Sequence, residues 1–190
     1  MMQLKELLAY FDQGGSFGDD PEILASMRTY IQENRRLLFE MNHLWHEDER
    51  EITELFTRIT AKPVGQDLRI ETPFYTDFGK NIMVGSHVFI NAGCKFQDQG
   101  GIVIGDGTFI GHNTVLATLD HALDPEKRHL LHPAPTRIGS RVWIGANVVI
   151  TKGVTIGDNS VIAAGAVVTH DIPANVIAAG VPAKVLREIG

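Results

Sequence analysis

The sequence predicts a mainly β protein: a single-stranded parallel β-helix with an N-terminal α-helical cap. Three observations point there. An aliphatic or aromatic residue recurs every six positions at 78, 84, 90 and 96, again at 104, 110 and 116, and from 138 to 168 without error. The fourth residue after these is also restricted, as in Val88, Cys94, Thr108, Thr114, Val142, Val148, Val154, Ser160 and Ala166. Residues 1–60 carry no such beat and space their apolar residues as helices do.

The cap, residues 1–60, comes first. MQLKELLAYF predicts a short helix ending before GGSFG, and residues 1–18 read as an extension without an assigned role. In DDPEILASMRTYIQENRRLLFEMNHL, Ile23, Met27, Ile31, Leu38 and Met41 recur at helical spacing. Asp19 or Asp20 before Pro21 is an N-cap followed by proline at the first helical position. A third helix, EDEREITELFTRIT, opens on acids that suit the positive end of the helix dipole.

The β-helix occupies residues 61–190. A period of six fits neither the 3.6 of an α-helix nor a hairpin. It fits a short strand, a turn that accepts Gly or Asn at positive φ, and a next strand facing a new direction. Three such steps close a triangular coil of about 18 residues, with aliphatic side chains inside the prism. A coil buries its apolar residues only against neighbouring coils, so the ends need covering and the helices can cover one. Cys94 falls in the small-residue slot and reads as a buried structural thiol. Trp143 precedes an inward residue and reads as outward-facing.

The beat lapses for 22 residues between Leu116 and Ile138. The walls of a prism are flat, so a loop over 117–136 supplies the concave surface a site needs, above all against a neighbouring subunit. The loop holds His121, His129 and His132.

Composition excludes some functions. A formal charge of -6 argues against nucleic acid and anionic membrane surfaces as partners. No stretch reaches the roughly 18 apolar residues of a membrane helix. The single cysteine cannot form an internal disulfide, which places the chain in a reducing, cytoplasmic setting.

Two stretches carry a resemblance: the D-P-E-I-L…R-R-L-L-F-E-M-N helix, and RVWIGANVVITKGVTIGDNSVIAAGAVVTHDIPANVIAAGVPAKVLREI near the C-terminus. Over roughly residues 20–190 the chain resembles the hexapeptide-repeat acyltransferases, most of all the maltose, galactoside and related sugar O-acetyltransferases. The resemblance implies a left-handed coil, acetyl-coenzyme A as acyl donor, a small hydroxyl acceptor, and a homotrimer with sites between subunits. No metal is expected.

The resemblance also implies site residues. His121 matches the family's general base, although Ala122 follows it where proline is common. Asn91 matches an asparagine beside the acceptor and the developing charge. Asp20, Arg28, Asp77, Asp98 and Gln99 match or neighbour positions around the acceptor. Ala146, Ala164, Thr169, His170, Lys184 and Arg187 match positions along the donor, with His170 standing where lysine is usual.

These residue types suit the chemistry. An alcohol is a poor nucleophile at neutral pH, and an imidazole with a reference pKa of about 6.5 can take its proton as it attacks. The same group can return a proton to the departing thiolate, so transfer is expected to be direct, through a ternary complex. Lys and Arg suit a donor that carries phosphates.

Other readings remain open. The acceptor can be serine, an antibiotic or an amino sugar. A γ-class carbonic anhydrase would use the same β-helix and a three-histidine zinc, but no two of the histidines at 43, 46, 87, 112, 121, 129, 132 and 170 are five apart. A non-catalytic β-helix would keep the loop only for subunit contacts.

Overall fold

A computed structural model describes residues 1–44 and 48–190. Trp45, His46 and Glu47, where the third helix was expected to begin, lie outside the described residues. Three helices precede the strands: α1 (Leu4–Asp12), α2 (Pro21–Asn42) and α3 (Glu49–Thr60). Asp20 caps α2, its carboxylate accepting from the amides of Glu22 at 2.9 Å and Ile23 at 3.1 Å. Asp48 caps α3 in the same way, and Ala61 ends that helix in the left-handed region.

The rest is a parallel β-solenoid of about six turns with three walls. The first wall stacks β1 (Arg69–Ile70), β4 (Phe89–Ile90), β7 (Phe109–Ile110), β12 (Trp143–Ile144), β15 (Val161–Ile162) and β17 (Val176–Ala179). The second stacks β2 (Tyr75–Thr76), β5 (Lys95–Gln97), β8 (Val115–Ala117), β13 (Val149–Ile150) and β16 (Val167–Val168). The third holds β3 (Ile82–Val84), β6 (Ile102–Ile104), β11 (Thr136–Ile138) and β14 (Thr155–Ile156). Between β8 and β11 the chain leaves the coil as a hairpin of β9 (Leu119–His121) and β10 (Leu131–Pro133).

Side-chain alternation builds the core. Ile90, Ile110, Ile144 and Ile162 pair in register and are fully buried, while their strand neighbours Phe109 and Trp143 stand more than half exposed. The restricted fourth positions, from Val88 to Ala166, are buried as well. The residue before each of them bends the corner at positive φ, as at Asn113 (59°), Asn147 (57°) and Asn159 (60°). Asparagine tolerates that conformation far better than a β-branched residue does.

The period fails where the corner widens. The two-residue shift at Gly100–Gly101–Ile102 lengthens the corner between the second and third walls, and Ile102 and Ile104 both stay buried. Phe78, expected inside the prism by its place in the count, belongs to a different core. That second core joins Leu7 and Phe11 of α1, Phe17, Ile23 and Met27 of α2, and Leu119 of the hairpin. Residues 1–18 are therefore integral to the fold. Ile31, which shares the helical spacing of the buried Ile23, Met27, Leu38 and Met41, is only partly buried and lines a cavity.

Both ends of the stack are covered. Leu37, Leu38, Met41, Ile52, Leu55, Phe56 and Ile59 of α2 and α3 join the prism core over the first coil. At the other end β18 (Lys184–Glu188) folds back antiparallel on β17, which removes a free parallel edge. Among the described residues no helix is long and apolar enough to cross a membrane.

Replacing Ile150, which has no exposed surface, with Asp would bury a carboxylate without a partner. We expect Ile150→Asp to lose at least ~3 kcal/mol of stability or fail to fold. Met83→Asp, on the outer face of the third wall, should stay within about 1 kcal/mol of the parent. Urea unfolding of the two variants checks both values.

Candidate active site

The hairpin is held from three directions. His121 pairs with Leu131, Asp120 with His132 and Leu119 with Pro133. Phe17 adds itself as a third strand, exchanging two backbone hydrogen bonds with Leu131 at 3.0 and 2.7 Å. The Lys152 ammonium, one coil further along, reaches the Asp120 carboxylate at 3.2 Å and the His132 carbonyl at 3.3 Å. The two histidines without an assigned role now have one. His132 Nδ1 lies 2.6 Å from the Ser16 hydroxyl, and His129 Nε2 lies 2.8 Å from the Asp19 carboxylate.

His121 is oriented by its own hairpin. Its Nδ1 sits 2.6 Å from the Arg128 carbonyl oxygen, which can only accept. In the neutral ring the proton therefore sits on Nδ1, and Nε2 carries the lone pair. Directly opposed residues of an antiparallel pair share a face, so His121 lies on the face that carries Leu131.

Leu131 is also a wall of a cavity of about 510 Å³. Phe17, Leu24, Met27 and Ile31 join it as apolar lining, and Arg28, Gln32, Arg35 and Gln99 supply the polar groups. Arg28 and Gln99, both expected around an acceptor, are thus brought together. Gln99 is 5 % exposed, and its Oε1 has no hydrogen-bond partner.

Other expected acceptor residues sit elsewhere. Asp98 is wholly buried and cannot face a substrate, which corrects its placement around the acceptor. One carboxylate oxygen accepts from the Thr76 hydroxyl and the Phe78 and Gly79 amides, the other from the Asn81 amide. Burial pushes its pKa up, and those four donors oppose the shift. Asp98 fixes the corner that carries Gln99. Asp77 lies in a smaller depression, of about 330 Å³, on the second wall with Tyr75, Lys95 and Gln97. Asp20 is engaged as the α2 cap.

Two edges of the second wall divide the remaining residues. Its edge with the third wall carries Gln99, the hairpin with His121, and Thr169 and His170 just beyond β16. Thr169 and His170 contact each other, hydroxyl to Nδ1, at 2.9 Å. Its edge with the first wall carries Asn91 and, two and three coils further along, Ala146 and Ala164. Lys184 lies opposite Ala179 at that end of the first wall, with Arg187 further along, opposite Ile177. The width of a wall, on the order of 15 Å, separates the two groups within one chain. The structure does not bring Asn91 to His121 in a single copy.

Cys94 has no part in this surface. It is fully buried and donates to the Gly111 carbonyl at 3.3 Å, and burial pushes its pKa up to about 11. Among the described residues no three His, Cys, Asp or Glu side chains cluster closely enough to hold a metal ion.

Arg35, Phe17 and Lys152 are among the residues of this surface that were not singled out from sequence. Arg35 had a signal: it follows Arg28 by seven residues and shares its helical stripe with Leu24 and Ile31. Phe17 and Lys152 had none, because their partners lie far along the chain.

The geometry defines a solenoid with a histidine arm and a lateral cavity, and comparison with known proteins defines its class. Residues 135–170 match the bacterial transferase hexapeptide (six repeats) family. The chain is 42 % identical over 157 residues to the galactoside O-acetyltransferase of Escherichia coli (strain K12), covering 82 % of this chain and 77 % of that one. It therefore belongs to the hexapeptide-repeat acetyltransferases. The structure of a maltose O-acetyltransferase from Clostridium difficile 630 is similar, with a TM-score of 0.89 at 32 % identity, over 96 % of this chain and 97 % of that one. A hexapeptide-repeat acetyltransferase from Vibrio cholerae O1 biovar eltor, in complex with acetyl-coenzyme A, gives 0.87 at 35 % identity over the whole of both chains.

The Cys94 thiol should remain protonated and inert in the folded protein at pH 8. Ellman's reagent is expected to find no reactive thiol in the native chain and one in denaturant. Because the folded thiol titrates near 11 and an ordinary one near 9, its contribution to stability holds below pH 9 and fades as pH rises toward 11. Fast native labelling at pH 8 would contradict its burial.

Proposed function

We propose that the protein is an acetyl-CoA-dependent O-acetyltransferase that transfers the acetyl group directly to a hydroxyl of a sugar or sugar-like acceptor. The observation that carries this is the 2.6 Å contact between His121 Nδ1 and the Arg128 carbonyl, which leaves Nε2 as a base on the face shared with the cavity wall Leu131.

The chemistry follows from that tautomer. The donor supplies acetyl as an activated thioester. His121 Nε2 accepts the proton of the acceptor hydroxyl as its oxygen attacks, and the resulting imidazolium can return it to the thiolate that leaves. Asn91 is suited to donate a hydrogen bond where negative charge develops on the acetyl oxygen. Arg28 and Gln99, which line the cavity, are suited to hold the acceptor, while Asp77 lines a separate depression and Asp20 caps α2. Buried Cys94 leaves no cysteine nucleophile on the surface, in keeping with direct transfer.

The residues of the first–second edge fit a long, thin donor. A Cβ added at Gly145 would come within 2.5 Å of the Ala164 amide, so the coils stack tightly there and present backbone and methyl groups. Lys184 and Arg187, both exposed, offer positive charge for phosphate at the end of that column.

A homotrimer completes the site in this reading. His121 and Asn91 lie on different edges of the prism, and a neighbouring copy that sets its first–second edge against this chain's second–third edge would join them. The exposed aromatics Phe109 and Trp143 on the first wall give such a contact apolar surface. The protein is proposed to work in the cytoplasm, where acetyl-CoA is available.

His121→Ala should lower turnover by about 10²- to 10⁴-fold while leaving the melting temperature near the parent value. Thiol release from acetyl-CoA, measured with an acceptor panel, gives the rate. Parent-like turnover in the folded variant would remove His121 from the mechanism.

A further inference from the structure

The cavity beside the hairpin carries a charge that a neutral sugar would not need. α2 presents Leu24, Arg28, Ile31 and Arg35 as one stripe, spaced four, three and four residues apart. Arg28 and Arg35 both line the cavity, and no carboxylate does. Seven residues of helix put their Cα atoms ~10.5 Å apart, a span that two guanidinium arms can close on a single anion.

Most acids on and around α2 are committed elsewhere, and Asp77 lines a separate depression on the second wall. Asp19 pairs with His129 at 2.8 Å, Glu22 with the N-terminal amine at 3.1 Å, and Glu33 with Lys80 at 3.5 Å. Asp20 caps the helix, and Asp98 is closed inside the corner. Among the described residues neither Arg28 nor Arg35 is in an ion pair, in a chain whose net charge is -6. Opposite them, Gln99 lines the same cavity with a buried Oε1 that lacks a donor. Phe17 and Leu131 flank the space between with apolar surface.

The geometry points to an anionic acceptor: a hydroxyl compound that bears a carboxylate or an equivalent anion beside an apolar portion. Arg28 and Arg35 hold the anion, Gln99 Oε1 accepts from a hydroxyl, and the reacting hydroxyl faces His121. This rests on the acetyltransferase reading of the site and narrows its acceptor to a charged class. The transfer stays balanced: the acceptor loses a hydroxyl proton and gains acetyl, and the donor leaves as free thiol.

The test compares two probes with identical sugars, 4-carboxyphenyl and 4-carbamoylphenyl β-D-galactopyranoside, by calorimetry on the full chain. Charge-assisted hydrogen bonds to guanidinium predict that the acid binds roughly 10- to 100-fold more tightly than the amide. Arg28→Gln and Arg35→Gln should each remove most of that preference while leaving acetyl-CoA binding unchanged. Equal binding of acid and amide, including no binding of either, would overturn the proposal. So would a preference that survives both substitutions. Weakened acetyl-CoA binding with an intact acid preference would show that the arginines serve the donor's phosphates, and would also overturn it. Thiol release with the parent and His121→Ala is read separately. No transfer to any hydroxyl refutes the acetyltransferase reading, whereas transfer with no acid preference refutes only the anionic acceptor.

Discussion

Filling the interior of a triangular prism constrains everything else in this protein. Every coil must place aliphatic side chains inward at fixed intervals and turn each corner with a residue that accepts positive φ, and the buried column from Ile90 to Ile162 meets that demand. A wall made this way is two to four residues wide and by itself forms smaller depressions, of about 420 and 330 Å³, than the cavity of about 510 Å³ beside the hairpin. Function must therefore be built from what departs from the coil. Here the departures are the hairpin, the widened corner at Asp98–Gly101, and the helices that close the first coil.

These departures are tied to one another. Asp98, deep in the widened corner, gathers three backbone amides and a hydroxyl and so fixes the position of Gln99. Phe17 pairs with the hairpin through its backbone and packs into the second core through its ring. Lys152 fastens the hairpin to the next coil. His121 is thus held by a local contact to Arg128 and its hairpin by remote contacts to the N-terminal segment. Support of this kind pre-organises a side chain on a two-stranded arm that leaves the coil.

Sequence legibility followed the repeat. The beat of six residues gave the inward positions, the corners and the interruption, because each depends on interactions between identical slots of adjacent coils. Asp20 as a cap and Cys94 as a buried thiol were legible for the same local reason. Phe78 was misplaced because counting by six ignores that a corner can lengthen and hand its side chain to another core. Asp98 was misread because a carboxylate beside a candidate site residue looks functional until its four donors, 17 to 22 residues upstream, are seen. The partnership of Phe17 with Leu131 spans 114 positions and leaves no periodic trace.

The central claim is that a working site needs two copies, one giving His121 from its second–third edge and the other Asn91 from its first–second edge. Subunit mixing tests it most directly. His121→Ala and Asn91→Ala proteins, each nearly inactive alone, are unfolded together and reassembled, and acetyl transfer is measured. The account predicts recovered activity, because about a quarter of the interfaces in a randomly mixed ring would pair an intact His121 with an intact Asn91. Assembled mixtures as inactive as the separate variants would contradict it.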